Sequence, residues 1–249
     1  MWKYFIVIMK LGWYILWKTP KIFYIYHHQD KYTSEYKYNY TRKVMRRISK
    51  AYKVNYNIEG LENIPKDGNY VMYPNHQSNF DALAFITLFE EPIHFIGKIE
   101  IKKMPYIGKL FEIIGSIYLD RDDIRSQIKT MRECQRRIEE EHDNFIIFPE
   151  GTRTRKEDRR MNEFKAGAFK PATSSKSYVI PIMLNGTYRV LDKKIRKKQY
   201  HVDIKILKPI SYEEYKDLST NDLSVHVQEL ISQELEQSFI NNPAELECF

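Results

Sequence analysis

The stretch "NYVMYPNHQSNFDALAFITLF" (residues 69–89) decides the fold, because it passes from an apolar run to a polar loop and then to a helical pattern. Residues 69–74 have the length and composition of a strand, and residues 80–89 read as a helix. Further strands are predicted at 93–97, 115–120, 144–149, 177–184 and 201–207, with helices at 122–142 and 221–239. Strands that alternate with helices indicate an α/β domain, with a largely parallel central sheet flanked by helices.

The individual patterns support this assignment. "NFIIFP" (144–149) is almost continuously apolar, as in a parallel strand that is covered on both faces. "HVDIKIL" (201–207) alternates like an edge or half-buried strand. In the helix predicted at 122–142, apolar residues recur at intervals of three or four, which predicts an amphipathic helix; they are Ile124, Ile128, Met131, Cys134 and Ile138.

Length and composition set the class of protein. The chain has 249 residues, enough to bury one sizeable core, and its 43% of hydrophobic residues is typical of a globular protein rather than a disordered one. The two cysteines, Cys134 and Cys248, are too few for a disulfide framework or a zinc site. A reducing compartment is therefore expected.

The charge balance predicts an anionic partner. The formal net charge is +7, and basic residues cluster in "RKVMRR" (42–47) and "KKIRKK" (193–198). Such clusters suit a membrane surface, a phosphorylated substrate or nucleic acid, and they equally suit a solvated surface. No recognised nucleic-acid-binding motif is present, so we expect no nucleic-acid partner.

The N-terminal segment "MWKYFIVIMKLGWYILWKTPKIFYIY" is apolar and aromatic, yet lysines interrupt it. No uncharged run approaches the roughly 20 residues that a membrane-spanning helix needs. On a helix, Lys3 and Lys10 lie within about 20° of each other, with Lys18 on the same side and a broad aromatic face opposite. This pattern predicts a helix, broken near Pro20, that lies in the membrane interface. Packing of the same helix on the protein's own core is the alternative.

Three polar clusters each follow a predicted strand. They are "NHQSNFD" (75–81), "DRDD" (120–123) and "EGTR" (150–153). Sites in parallel sheets form beyond the carboxyl ends of the strands, so these clusters are expected at one edge.

The first cluster suggests a His–Asp pair. Of the seven histidines, only His76 has an acid five residues later, at Asp81. A carboxylate on one ring nitrogen would fix the tautomer and leave the other nitrogen to accept a proton from an alcohol. The same spacing also fits an N-cap role for Asp81 with His76 as an exposed loop residue.

The third cluster suggests an anion site. Gly151 allows close approach of the backbone to a ligand, Thr152 offers a hydroxyl donor, and Arg153 presents a planar fork suited to phosphate. Arg121, from the second cluster, is placed to reach the same anion. A salt bridge from Arg121 to Asp122, Asp123 or another acid is the alternative.

Four motifs, "NHQSNFD", "GSIYLDRDD", "FPEGTR" and "VIPIML", occur in an order and spacing that resemble the glycerolipid acyltransferases, in particular the 1-acylglycerol-3-phosphate acyltransferases. The resemblance covers roughly residues 56–210. The basic, aromatic N-terminus also resembles the membrane-docking helices of bacterial members of that family.

The resemblance implies a function and a set of roles. The reaction would be transfer of an acyl group from a thioester of acyl carrier protein or coenzyme A to a lysophospholipid, without a cofactor or metal. His76 would be the base and Asp81 its partner. Residues of the second and third motifs would form the acceptor site, together with a lysine between the first two motifs; these residues are Arg121, Glu150, Gly151, Arg153 and Lys98. The fourth motif is expected to be structural or to line the acyl chain.

The sequence therefore predicts a peripheral enzyme on the cytoplasmic face of the cell membrane that converts lysophosphatidic acid to phosphatidic acid. Residues 1–55 would form the membrane-docking helical segment, and residues 56–249 the α/β acyltransferase domain. Two rival predictions are the same chemistry on another lysophospholipid and a non-catalytic protein that binds anionic lipid or nucleic acid.

Overall fold

The computed structural model describes residues 2–154, 160–192, 194–195 and 197–241, with side chains from residue 12 to residue 240 within these ranges. Lys193 and Arg196 of the second basic cluster lie outside the described residues, as does Cys248. The side chains of Lys3 and Lys10, on which the predicted basic stripe depends, also lie outside them.

The helices and strands alternate along the described chain. The helices are α1 (Trp2–His27), α2 (Ser34–Tyr52), α3 (Asp81–Leu88), α4 (Ile107–Ile113), α5 (Ile124–Glu141), α6 (Lys170–Ser174), α7 (Thr187–Leu191), α8 (Tyr212–Tyr215) and α9 (Thr220–Asn241). The strands are β1 (Val54–Glu59), β2 (Tyr70–Pro74), β3 (His94–Lys98), β4 (Ile117–Leu119), β5 (Phe145–Ile146), β6 (Tyr178–Asn185) and β7 (Tyr200–Ile206). Short 3₁₀ turns include Ile99–Lys103 and Ala166–Phe169.

The strands form one sheet in the order β1-β7-β6-β2-β5-β3-β4. The five strands from β6 to β4 are parallel, β7 is antiparallel to β6, and β1 is parallel to β7. The predicted α/β fold with a largely parallel sheet is confirmed. Strand β7 alternates in burial as predicted, but it lies inside the sheet, because the unpredicted strand β1 covers its outer edge.

Helices pack on both faces of the sheet. On one face, Met72, Ile146 and Ile180 contact side chains from α1 to α4. On the other, Val71, Phe145 and Val179 contact α5 and α9. Each such buried side chain contributes about 1.5–3 kcal/mol relative to exposure, so the two apolar layers fix the sheet between the helices.

Helix α1 corrects one expectation: it continues through Pro20 to His27. Proline inside a helix costs about 3 kcal/mol, but Ile22 and Ile25 are buried in the main core and hold the second half in place. The first half is different, since Trp13 is 81% and Trp17 70% exposed. Core packing and an exposed aromatic face therefore occur on one helix.

The predicted segment 1–55 ends where the sheet begins, and its helices share the core of the sheet. Tyr38, Val44 and Met45 of α2 belong to the same buried cluster as Ile22 and Ile25 of α1. Thr33 caps the start of α2 by accepting a hydrogen bond from the Tyr36 N–H at 3.2 Å.

The apolar residues of α5 divide into two groups. Cys134 and Ile138 are buried against the sheet, whereas Ile124 is 72% and Ile128 49% exposed. Asp123 caps the start of α5 by accepting a hydrogen bond from Arg125 N–H at 2.8 Å. The exposed isoleucines follow this cap directly, on the carboxyl side of the sheet.

Candidate active site

The three polar clusters meet at the carboxyl edge of the sheet, as predicted. His76 follows β2, Arg121 follows β4 and Arg153 follows β5, while Lys98 is the last residue of β3. Strands β2, β5, β3 and β4 are consecutive parallel neighbours, so the loops after them open on the same side.

His76 and Asp81 form a hydrogen-bonded pair. The His76 Nδ1 lies 2.7 Å from Asp81 Oδ2, and the same oxygen accepts hydrogen bonds from the Gln77 N–H at 2.8 Å and the Ser78 N–H at 3.0 Å. Because this oxygen also accepts from backbone donors, Nδ1 donates to it, and in a neutral imidazole the lone pair is then on Nε2. Among the described residues, no group hydrogen-bonds Nε2. The His76 ring stacks on Phe148 with 4.2 Å between ring centroids.

The loop that carries His76 is anchored to the end of β6. The Asn75 side chain donates to Leu184 O at 2.9 Å and accepts from the Leu184 N–H at 2.7 Å, as a strand residue would. Gln77 Oε1 accepts from the Gly186 N–H at 2.9 Å. Gly186 has φ +102°, and a Cβ there would lie 2.4 Å from His201 O, so the tight turn after β6 requires glycine.

The turn after β6 also fixes Asp81. Thr187 Oγ1 donates to Asp81 Oδ1, the oxygen that His76 does not use, and Asp81 is fully buried. Both carboxylate oxygens are therefore hydrogen-bonded. The fourth sequence motif contributes to the site through this contact, because it forms the strand that precedes the turn.

Glu150 lies behind the cavity wall and hydrogen-bonds to both the first and the third cluster. Its Oε1 accepts from the His76 backbone N–H at 2.7 Å, and its Oε2 accepts from Thr154 Oγ1 at 2.9 Å and from Asn162 N–H at 2.9 Å. Burial raises the pKa of Glu150 above its usual range, although these hydrogen bonds act in the opposite direction. Glu150 is 1% exposed, so its carboxylate faces the loops and not the cavity.

A cavity of about 1060 Å³ opens at this edge of the sheet. It contains six of the eight residues that the sequence pointed to: His76, Lys98, Arg121, Gly151, Thr152 and Arg153. Asp81 and Glu150 lie behind its wall. Apolar side chains line much of it, including Phe95, Ile101, Phe111, Ile124 and Ile128. The cavity therefore combines one base, several cations and a hydrocarbon-like lining, which suits an anionic amphiphile.

The cationic side chains that line the cavity differ in whether an acidic side chain already forms an ion pair with them. Lys98 Nζ lies 2.6 Å from Glu100 Oε1, and this contact lowers the pKa of Glu100. Burial lowers the pKa of Arg121; the charge of Glu100 acts in the opposite direction, and the charge of Arg153 adds to the lowering. The Arg121 Nε is buried and has no hydrogen-bond partner among the described residues. Arg121 and Arg153 are thus two neighbouring cations with capacity to bind an anion.

Lys165 lines the cavity, although no sequence motif predicted it as a site residue. Its Nζ would lie 3.1 Å from a Cβ on Gly151, so the lysine side chain runs directly over this glycine and lines the cavity. Gly151 has φ +66°, and the backbone at this point has no room or conformation for a side chain. The only local signal was a lysine in the loop after the third cluster, which is too common to single out.

A second His–Asp pair lies at the opposite edge of the sheet. His94, at the start of β3, is 3% exposed. Its Nε2 lies 3.0 Å from Asp143 Oδ1, and its Nδ1 lies 2.8 Å from Ile114 O. Arg137 also contacts Asp143 and Gly115 O. This pair is part of the packing between β3, α5 and the turn after α4.

No cluster of three or more metal-ligating His, Cys, Asp or Glu side chains occurs in the described part of the chain. Nor does this part contain a helix that is long and apolar enough to span a membrane. An imidazole beside several cations, as in this cavity, is chemically able to transfer a proton next to an anion.

The fold and the site together define an α/β protein with a His–Asp pair in a basic cavity at the carboxyl edge of a parallel sheet. The chain belongs to the Acyltransferase family, whose model matches residues 55–185, more than half of its length.

Relatives and a solved structure agree with this membership. The chain is 38% identical over 141 residues to a chloroplastic 1-acyl-sn-glycerol-3-phosphate acyltransferase of Arabidopsis thaliana, covering 56% of this chain and 38% of the relative. It is 30% identical over 161 residues to the 1-acyl-sn-glycerol-3-phosphate acyltransferase of Haemophilus influenzae, covering 65% of this chain and 66% of the relative. The chain thus spans less than two thirds of the length of either relative.

The crystal structure of the 1-acyl-sn-glycerophosphate acyltransferase PlsC from Thermotoga maritima has the same fold. It superposes with a TM-score of 0.73 at 24% identity, covering 94% of this chain and 92% of that one.

Proposed function

We propose that this protein transfers an acyl group from a thioester of acyl carrier protein or coenzyme A to the sn-2 hydroxyl of 1-acylglycerol 3-phosphate, giving phosphatidic acid. The names of its relatives support this reaction. The observation that carries the proposal is the hydrogen bond of 2.7 Å from His76 to Asp81, with the same imidazole lining a basic, partly apolar cavity.

In the proposed mechanism, His76 Nε2 removes the proton from the acceptor hydroxyl as its oxygen attacks the thioester carbonyl carbon. A C–O bond forms, the C–S bond breaks, and the proton passes from His76 to the departing thiolate. Asp81 holds the ring in the required tautomer and stabilises the transient imidazolium. Because a thiolate leaves readily, one base is sufficient and no acyl-enzyme is needed.

The acceptor phosphate is assigned to Arg121, Arg153 and Lys165. Arg121 lies in the loop after β4, Arg153 and Lys165 lie in the segment between β5 and the 3₁₀ turn Ala166–Phe169, and none of the three has an ion-pair partner among the described residues. Lys98 is placed at the rim, where Glu100 already neutralises part of its charge. Binding the phosphate would position the hydroxyl against His76, so it supports the chemical step as well as affinity.

The remaining residues of the third cluster receive supporting roles. Glu150 holds the backbone of His76 against residues 154 and 162, and so acts as a positioning residue in this proposal. Gly151 leaves the space that Lys165 uses. Thr152 is exposed at the cavity and is available as a hydroxyl donor to the bound phosphate.

The membrane is the proposed source of the acceptor. Trp13, Leu16 and Trp17 form an exposed apolar patch on α1, and Lys18 Nζ lies 4.5 Å from the Trp17 ring centroid. Tryptophan and lysine side chains favour the headgroup region, so this patch suits peripheral attachment to an anionic bilayer. The proposed location is the cytoplasmic face of the cell membrane.

A substitution on α1 tests the membrane attachment. The double variant Trp13→Ala/Trp17→Ala should bind vesicles of anionic phospholipid more weakly in co-sedimentation, because it removes the exposed aromatic surface and keeps Ile22 and Ile25 in the core. A matched control is Leu218→Ala/Val225→Ala, which removes two exposed apolar side chains far along the chain. Equal binding by wild type and the α1 variant would show that the patch does not dock the protein.

An enzyme-by-substrate cycle tests the acceptor assignment. Arg153→Ala should lower kcat/KM for lysophosphatidic acid about tenfold to a hundredfold, the effect of removing a charge-assisted hydrogen bond. With monoacylglycerol, which lacks the phosphate, wild type should be a poor enzyme and the variant little worse. Arg125→Ala, an exposed arginine that does not line the cavity, is the control. Equal losses with both acceptors would mean that Arg153 supports the loop and does not bind phosphate.

A further inference from the structure

One part of the cavity lies outside the proposed acceptor site. From His76 it extends between α5 and the segment 165–174, which pack against each other. We call this part the α5–α6 groove and define it by six lining residues: Met131, Arg132, Gln135, Gly167, Lys170 and Ser174.

The groove changes chemistry along its length. Lining residues of α5 run from Ile124 to Gln135, which is about 16 Å of helix at 1.5 Å per residue. Ile124 and Ile128 make the end near the sheet edge apolar, while Arg132 and Gln135 make the far end polar. A ligand that fits this gradient is extended, with its reacting end near His76 and a polar, negatively charged far end.

The far end carries unneutralised positive charge. Arg132 and Lys170 are exposed, and neither forms an ion pair with another described residue. The one acid among the described lining residues is Glu100, which is already paired with Lys98. At Gly167, no atom lies within 4 Å of the position that a Cβ would occupy, so the groove is open beside these cations.

We propose that the α5–α6 groove binds the phosphopantetheine arm of the acyl donor, the chemistry that acyl carrier protein and coenzyme A share. This inference rests on the proposed function, which requires a thioester. The thioester carbonyl lies at His76, the amide groups of the arm lie along Gln135 and Ser174, and its phosphate lies between Arg132 and Lys170. The reaction brings together two anions, the acceptor phosphate and the donor phosphate, and the cavity provides a separate group of cations for each.

A hydrocarbon chain is a poorer match for this groove. Placing the methyl end of an acyl chain beside Arg132 and Lys170 would desolvate two charges without pairing them, which is unfavourable. The apolar wall on the other face of the sheet, around Phe95, Ile101 and Phe111, offers acyl chains a better environment.

The test compares donors that differ in the phosphate. The variants are Arg132→Gln, Lys170→Gln and their combination, with Lys129→Gln as a control on the same helix that does not line the cavity. The donors are acyl carrier protein, coenzyme A, phosphopantetheine and pantetheine, each carrying the same acyl group. Each groove variant should raise KM about tenfold for the three phosphate-containing donors, the size expected for one charge-assisted hydrogen bond. KM for acyl-pantetheine and for lysophosphatidic acid should not change.

The outcomes separate the two proposals. Absence of turnover by wild type with every thioester would defeat the proposed function itself. Normal turnover, with donor KM values unchanged in the double variant, would overturn only the groove assignment. Losses confined to the carrier-protein donor would also overturn it, because they would indicate contact with the carrier's surface rather than with the phosphate. Losses with both carrier protein and coenzyme A, absent with pantetheine, are the expected result.

Discussion

His76 and His94 lie at opposite edges of the same parallel sheet, and each is bonded to an aspartate. The His76 Nδ1 to Asp81 Oδ2 distance is 2.7 Å, and the His94 Nε2 to Asp143 Oδ1 distance is 3.0 Å. They differ in the second ring nitrogen. His94 uses it on Ile114 O at 2.8 Å, whereas His76 has no described partner there and lines the cavity.

The surroundings of the two pairs also differ. Arg137 bonds to Asp143, so the positive charge beside His94 is already neutralised by an internal ion pair. Near His76, Arg121 and Arg153 line the cavity, and neither forms an ion pair with a described residue. A His–Asp contact is therefore a weak sign of catalysis, and an unoccupied nitrogen at an open basic cavity is the stronger one.

The largest expected effect comes from breaking the cavity pair. His76→Ala should lower kcat by about 10²–10⁴, the usual contribution of a general base. The urea midpoint should change little, because Asp81 keeps its bonds from Gln77 N–H, Ser78 N–H and Thr187. Steady-state kinetics and urea denaturation of the same preparation measure both quantities.

His226→Ala is the matched control for that variant, since His226 is exposed on α9 and outside the cavity. It should behave as wild type in both assays. Near-normal turnover by His76→Ala would show that His76 is no more catalytic than His94. The proposed mechanism would then be wrong.

Breaking the second pair should show the reverse pattern. His94→Ala leaves Ile114 O and Asp143 Oδ1 without their buried partner, although Arg137 still bonds to Asp143 Oδ2, so the free energy of unfolding should fall by roughly 1–3 kcal/mol. Because His94 lies at the far edge of the sheet, kcat of the folded variant should stay within a few-fold of wild type. Denaturation curves and assays well below the unfolding temperature decide this. A kcat loss comparable to that of His76→Ala would mean that the two sites are coupled.

The smallest expected effect is the dependence of stability on the ionisation of Asp143 at low pH. Burial acts to raise the pKa of Asp143, but the hydrogen bond from His94 and the charge of Arg137 outweigh it, so the pKa lies below its ordinary 3.8. A carboxylate with a depressed pKa stabilises the fold above its unfolded-state pKa, and this stabilisation is lost as the pH falls through the folded-state value.

Asp143→Asn should therefore be less stable than wild type at pH 5, with a gap that narrows as the pH is lowered below about 3.8. Urea midpoints at pH 5 and near pH 2.5 provide the measurement. A gap that is the same at both pH values would show that ionisation of Asp143 contributes nothing.

Local patterns were enough to predict the parts of the fold that depend on neighbouring residues. The strand predicted at 69–74 is observed at Tyr70–Pro74, and the helix predicted at 122–142 at Ile124–Glu141. The meeting of His76, Arg121 and Arg153 at one edge followed from strand order, because parallel strands end on the same side.

Features that depend on distant residues were not predictable in this way. Strand β1 alternates between apolar and polar residues, which is a local strand signal, but its place at the edge of the sheet follows only from its pairing with β7. Helix α1 passes Pro20 because Ile22 and Ile25 find partners in the core, which no local pattern contains. The Lys165 side chain reaches the site by passing over Gly151. The His94–Asp143 pair brings together residues that are far apart in sequence.

The anchoring of the His76 loop to β6 has a consequence for how such a protein can diversify. Asn75, Gln77 and Thr187 fix the base through contacts with Leu184, Gly186 and Asp81, and none of these six residues lines the cavity. The walls of the cavity come mainly from other segments, especially α5 and residues 165–174. Substitutions in those walls can therefore alter which lipids and donors are accepted while the reacting group keeps its position. In this architecture, substrate selectivity can change through substitutions in the cavity walls. The position of the reacting imidazole does not have to be re-established each time.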